Sequence, residues 1–384
     1  MRKITKDVTM HQLVYILFFA SLVYKVVFIP SRIVRITCRD LWVAIALFVA
    51  LDIFHLIMYY IVIKINPELT LYQIIEKSLG KVAAKIILGF LTLYLLIRVS
   101  VMLIDYNLYS TDVLYPSSWK PLALPIIIVS VFCAYRGLRS IARIFELIGT
   151  GVAFAIIGTM VVVAISSDFS NILPILESGM KIPLNGFKEY MFFAGDYFCI
   201  LCILGQVKVE KGIGLVLTIP TVVASVFSIM FAMAYYGFYE DVAVFQKEGH
   251  ALRDIALFLL GSQSLARFDL IFSVMWMIAI LMRIIINTWA LYYFLKQTLG
   301  LKDTVVQKYI LSIIVIIAIW AIYSFIDKNT LLFQRMITSE YKYFVIIPLL
   351  FVLPVSAPIM AYIATKKEKK RQINNQLYTK PAKE

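Results

Sequence analysis

Six ionisable residues fall inside stretches that are otherwise almost wholly apolar: Lys25, Asp52, His55, Arg98, Asp196 and Arg283. An ionised side chain near the middle of a membrane helix costs about 2.5–3.5 kcal/mol on insertion scales, so each needs an opposite charge or a water-filled cavity. Lys25 can answer that need with Asp52 or Asp196, and such a pair serves equally to lock helix packing or to hold a ligand or a proton. Asp52 and His55 stand three residues apart on one helix face, a spacing that suits a proton relay as well as a histidine satisfied by a neighbouring helix. Arg98 has Asp105, two turns further along the same face, as a candidate partner.

The elements that must position these residues are membrane helices. Of the 384 residues 61% are hydrophobic and 16% charged, against roughly one-quarter charged in soluble domains. Runs long enough to cross the hydrocarbon core lie near 11–31, 41–63, 82–104, 121–135, 144–165, 187–207, 214–237, 270–295, 309–326 and 343–364. The expectation is an all-α integral membrane protein of ten transmembrane helices. It divides into an N-terminal segment (1–10), one ten-helix domain (11–364) and a basic tail (365–384). Charges but no small-residue cleavage site follow the first run, which therefore reads as a retained helix.

An even helix count puts both termini on one side. With that side inside, inner segments hold 22 Lys and Arg, outer loops hold 12 and the spans hold three, so both termini are expected in the cytoplasm. The net charge of +14 is then a matter of membrane orientation rather than nucleic-acid binding. The basic run Lys366–Arg371 reads as a topology anchor or a contact for anionic lipid. The longest loop, 238–269, is the one outer segment large enough to be a partner surface.

Cys199 and Cys202 form C-x-x-C inside a helix without a second pair or an adjacent histidine, which favours packing over metal or redox chemistry. Gly149, Gly151 and Gly158 in the fifth span read as close helix packing. Phosphate loops, zinc motifs and nucleophile elbows are absent from the sequence. The sixth span is different. Ala194, Gly195 and Asp196 sit at its midpoint, where a helix can come apart and expose backbone groups that are tolerated only against a cavity or a ligand. The first span has its own irregularity, Lys25 followed by Pro30. Broken helices 1 and 6, in corresponding positions of two five-helix halves, are the expected signature of an inverted five-plus-five repeat bundle with its site at the midplane.

Three sets of residues add a family resemblance. Gln12 and Leu13 are followed by Phe28, Ile29, Pro30 and Ser31, then by Arg39, Asp40 and Trp42. Leu173, Pro174, Leu176, Gly179, Pro183 and Gly186 precede Phe192, Phe193, Gly195 and Asp196, and Arg267, Phe268, Asp269 and Trp276 come last. In order and spacing they resemble the spore germination permease-like family, the B subunits of nutrient germinant receptors in endospore formers. The resemblance implies a bundle of the amino acid, polyamine and organocation transporter superfamily. It also implies a small nutrient ligand, often an amino acid, and as partners a receptor A subunit and a lipoprotein C subunit in the spore inner membrane. Asp196 then stands where the family has a glutamate. Val23, Tyr24 and Lys25 replace the family's glycine and small residues, so that Lys25 either neutralises Asp196 or stands where a coupling cation would sit.

These readings converge on a non-enzymatic, permease-like receptor subunit. Its ligand-binding candidates are Tyr24, Lys25, Ala194, Gly195, Asp196 and Arg283. Lys25 is assigned to a carboxylate or to Asp196, Gly195 to the backbone opening, Asp196 to an ammonium group and Arg283 to the polar lining. Neither cofactor, metal nor nucleic-acid partner is expected. The alternative is a proton-coupled amino acid transporter with Asp52 and His55 as the relay; a membrane enzyme would have only His55 at hand.

Overall fold

The computed structural model describes residues 8–114, 123–177, 179–245 and 268–378. Helix α1 (Met10–Val27) starts at a reciprocal cap in which the Thr9 hydroxyl accepts from the Gln12 N–H and the Gln12 side chain accepts from the Thr9 N–H. It remains helical through Lys25 and is interrupted only at Phe28, whose N–H still reaches the Tyr24 carbonyl. Pro30, which has no N–H for the preceding turn, accounts for that interruption. The chain resumes at once as α2 (Ile29–Thr37). Arg32, Arg35 and Arg39, expected in an outer loop, lie instead on this helix and the 3-10 turn Cys38–Asp40, and Arg32 is buried.

Next come α3 (Leu41–Ile65), α4 (Leu71–Leu79), α5 (Lys81–Leu114), α6 (Ala123–Arg136) and α7 (Leu138–Ile165). The segment expected as the sixth span is discontinuous. Helix α8 (Lys181–Glu189) ends at Tyr190, a 3-10 turn covers Met191–Phe193, and α9 (Phe198–Ile203) begins only after an unwound stretch. Then follow α10 (Ile213–Tyr239), α11 (Phe268–Leu299), α12 (Val305–Lys328), α13 (Thr330–Thr338) and α14 (Lys342–Ile347). A π-helical turn, Pro348–Val352, leads into α15 (Leu353–Tyr378).

Among the described residues, eight helical stretches are long and apolar enough to cross a membrane, and α6 is a shorter apolar helix. The count of ten expected from sequence adds to those eight the short α6 and the discontinuous α8–α9 segment. The two most enclosed spans contain α1 and α11, each 78% buried over its apolar window, whereas α7 and α12, at 33% and 28%, turn Leu147, Phe154 and Ile317 outward as lipid-facing helices do.

Both ends of the described chain lie at one end of the bundle. Val8 donates to the Gln206 carbonyl at 3.4 Å and accepts from the Lys208 N–H at 3.1 Å. Beside it, Gly205 adopts a φ of +77°, and a Cβ there would come within 2.9 Å of the Thr70 nitrogen. At the other terminus α15 runs unbroken past residue 364, so the boundary expected between domain and tail falls inside a helix. Lys77 meets Glu368 at 2.8 Å, and Lys367 donates to the Ser78 carbonyl at 2.9 Å, which ties that helix to α4.

Gly149 lets α7 approach Phe19 and Tyr15 of α1, but Gly151 faces open space and makes no such packing. Most of the outer loop 238–269, the motif residue Arg267 and tail residues 379–384 lie outside the described residues.

Candidate functional site

The unwound stretch between α8 and α9 is where backbone carbonyls lose their helical partners. Gly195 sits there at a φ of +80°, a conformation that favours a residue without Cβ. Buried carbonyls need donors, and here side chains from other helices supply them. Arg98 of α5 donates to the carbonyls of Phe193 at 3.3 Å, Ala194 at 2.7 Å and Gly195 at 3.3 Å. Tyr94, one turn earlier, reaches the Phe192 carbonyl at 3.4 Å, and Lys342 of α14 reaches that of Glu189 at 2.9 Å. On the α10 side, the Tyr197 hydroxyl donates to Thr221 at 2.6 Å.

Asp196, the residue after Gly195, gathers three cations. Lys25 of α1 lies 2.8 Å away and Arg98 3.1 Å away, and the third contact is from Arg283 of α11. Lys25 also pairs with Asp52 of α3 and donates to the Ser21 carbonyl at 2.9 Å and the Ser21 hydroxyl at 3.0 Å. Lys25, Asp52, Arg98, Asp196 and Arg283 are all buried. Four helices and the unwound segment therefore converge on one ion network of three cations and two carboxylates. Burying such a network is costly unless every charge is paired, and removing one partner from a buried pair costs about 3–5 kcal/mol.

A second layer covers this one. Tyr24 donates to Asp105 and stacks on Phe193 with centroids 5.4 Å apart, and the Arg283 guanidinium lies 4.7 Å from the Tyr24 ring centroid. Arg32 donates to Asp105 at 2.6 Å and lies 4.7 Å from the centroid of Phe193. Beyond this layer is a cavity of about 260 Å³ whose walls include Arg32, Arg35, Asp105, Tyr190, Phe193 and Phe333.

The structure thus brings Tyr24, Lys25, Ala194, Gly195, Asp196 and Arg283 together, with Asp52 joined through Lys25. His55 goes elsewhere. Its Nε2 lies 2.7 Å from the Leu350 carbonyl, which Pro354, four residues on, cannot serve because it has no N–H. That placement makes His55 a donor to the neighbouring helix. Arg98 does not take Asp105 as its partner, since Asp105 belongs to Arg32 and Tyr24 and Arg98 belongs to the unwound segment. The sequence reading missed the whole layer formed by Arg32, Asp105 and Phe193. Cys202 is buried, and among the described residues no cluster of His, Cys, Asp or Glu is arranged to hold a metal ion.

Two of the motif sets touch each other. Asp40 accepts from the Leu176 N–H at 2.9 Å, and Arg39 reaches the Leu173 carbonyl at 3.3 Å and Glu177 at 3.1 Å. These contacts fasten the loop before α8 to the end of α2.

A family model described as "Spore germination protein" matches residues 7–329. No curated protein matches the chain. Among solved structures, the substrate-bound outward-open state of a Na+-coupled sialic acid symporter is similar over 91% of this chain and 77% of that one, at 11% identity and a TM-score of 0.56. A mutant manganese transporter from Eremococcus coleocola is similar over 97% of this chain and 89% of that one, at 14% identity and a TM-score of 0.53. At such identities the likeness is one of fold, an all-helical transporter fold.

Proposed function

We propose, from the premise that this chain belongs to the spore germination protein family, that it is the permease-like subunit of a germinant receptor and binds a small nutrient at the mid-membrane ion network. The observation that carries this reading is the convergence of Lys25, Arg98 and Arg283 on Asp196 beside unwound backbone. A helix opened at membrane depth is stable only where its freed groups are matched, and a matched set drawn from several helices changes when any one of them moves. A nutrient that displaces one member of the network would therefore shift helices against one another, which is what a receptor subunit needs in order to signal. Asp52 belongs to the same network through Lys25.

The wider assembly belongs to the proposal as well: ten crossings in two inverted five-helix halves, both termini in the cytoplasm, the spore inner membrane as location, and receptor A and lipoprotein C subunits as partners. The test is germination of spores carrying Asp196→Asn, followed against nutrient concentration with the amount of protein measured in parallel. The expected result is a response shifted at least about tenfold in concentration, the equivalent of about 1.4 kcal/mol, with protein level retained. Unchanged concentration dependence for every germinant removes the site from the receptor's mechanism.

A further inference from the structure

Within the ion network, acceptors and donors are unequally matched. Asp52 takes Lys25 and the Ser21 hydroxyl, Asp196 takes three cations, and the carbonyls of Phe193, Ala194 and Gly195 take Arg98. Lys25 spends its ammonium on Asp52, Asp196 and both oxygens of Ser21. The surplus is on Arg283. Among the described residues its Nε and Nη1 meet no acceptor, although the residue is only 1% exposed. The charges repeat the imbalance, because three cations face two carboxylates. The neighbouring Arg32–Asp105 pair is neutral in sum and does not correct it.

A buried guanidinium has donors only and stays protonated at any ordinary pH, so it cannot relieve the imbalance by losing a proton. The complement it lacks is an acceptor carrying one negative charge. We infer that the unpartnered N–H groups of Arg283 are a binding site for a small monovalent anion, which in the nutrient reading is the ligand's carboxylate. This deepens the proposed function and rests on it only for the identity of the natural occupant. It moves the carboxylate from Lys25, whose donors are committed, to Arg283. It also removes Asp196 as an ammonium acceptor, since three cations already hold it. Nε and Nη1 flank Nη2 on its two sides, and Nη2 gives Asp196 one of its two hydrogens, so its second hydrogen can complete a two-pronged edge with one of them, which suits the two oxygens of a carboxylate better than it suits a spherical ion. Tyr24 links the guanidinium to the 260 Å³ cavity: it lies under Arg283, stacks on Phe193 and donates to Asp105, the last two of which line the cavity.

The experiment is thermal unfolding of the purified full chain in lipid nanodiscs at constant ionic strength, titrating sodium acetate, sodium chloride or methylammonium sulfate into sodium sulfate, whose anion is divalent and carries no carboxylate. The expected result is a saturable rise in Tm with acetate, about 2 °C at ten times its Kd, and no rise with methylammonium. Acetate acting below chloride in concentration assigns the site to carboxylates. Chloride acting below acetate assigns it to an inorganic anion and overturns the carboxylate assignment. Arg283→Gln leaves two cations facing two carboxylates, so it is expected to fold and to lose the response. Arg283→Lys keeps the charge without the fork and is expected to need at least tenfold more acetate. A wild-type Tm indifferent to both anions, or either variant responding as the wild type does, overturns the site. If the acetate response stands while spores lacking the chain germinate normally on every nutrient, the receptor reading falls and the anion site remains.

Discussion

The α1–α2 and α8–α9 segments both contain residues that disturb helices, yet one is interrupted at Phe28 alone and the other is open between Tyr190 and Phe198. Pro30 removes a single N–H, and the α1–α2 segment closes up again around it. In the α8–α9 segment Gly195 turns the backbone away, and the freed carbonyls are held by Arg98, Tyr94 and Lys342 from other helices. A residue that breaks a helix thus determines where it can open. Donors elsewhere in the bundle determine how far it does.

The strongest way to break this comparison is Arg98→Met, which takes the donors from three carbonyls and one cation from Asp196. The expected cost is about 3–5 kcal/mol, read as a Tm lower by about 5 °C or as loss of the monodisperse peak in size-exclusion chromatography. A variant as stable as the parent would show that the unwound segment stands without its cap. Gly195→Ala asks less of the same segment. Forcing a Cβ into its positive φ should cost about 1–2 kcal/mol, a drop of a few degrees in Tm, and no drop at all would mean that the turn can be rebuilt with ordinary backbone.

Pro30→Ala sharpens the contrast from the other side. Restoring one N–H to a segment that is already nearly continuous should change stability by less than about 1 kcal/mol in either direction, measurable on the same unfolding curves. A large loss would show that the interruption at Phe28 is an opening of the same kind as the one between α8 and α9.

The smallest effect is expected outside the membrane, in the loop between α11 and α12. Asp303 is held below its ordinary carboxylate range, first by the Lys296 hydrogen bond and then by the charges of Lys296 and Lys308. A depressed folded pKa stabilises fully above the unfolded value of about 3.9 and loses that contribution as pH falls through the lowered one. Half exposed to solvent, the pair is worth at most a few tenths of a kcal/mol. Asp303→Asn should therefore lower Tm by about a degree or less at neutral pH and match the parent near pH 2, and a parent still the more stable there would contradict the assignment.

The opening at Gly195 and the membrane class were legible because each is a local property: a glycine beside an aspartate in mid-span, and long apolar runs. The ion network was legible only as a set of charges seeking partners. Arg98 illustrates the limit. Asp105 is its neighbour along the helix, but the bundle brings Asp196, 98 residues away, to within 3.1 Å. Three-dimensional proximity outranks helical spacing here, and one sequence does not report it. Arg32 and Arg35 did carry a readable signal, since a spacing of three places them on one helix face. Reading them as a loop hid the partner of Asp105. For His55 the missing N–H of Pro354 was visible in the sequence, but not which helix would supply the donor.

The short pairing of Val8 with residues 206 and 208 also bears on any motion of the site. It stitches the segment before α1 to the exit of the discontinuous stretch, whose entry the contacts of Arg39 and Asp40 already tie to the end of α2, so that both extremities are moored and any give is confined to the unwound part between them. Trimming the chain through Val8, or fusing a bulky partner there, would cast off one mooring and change the lever on which Asp196 rides.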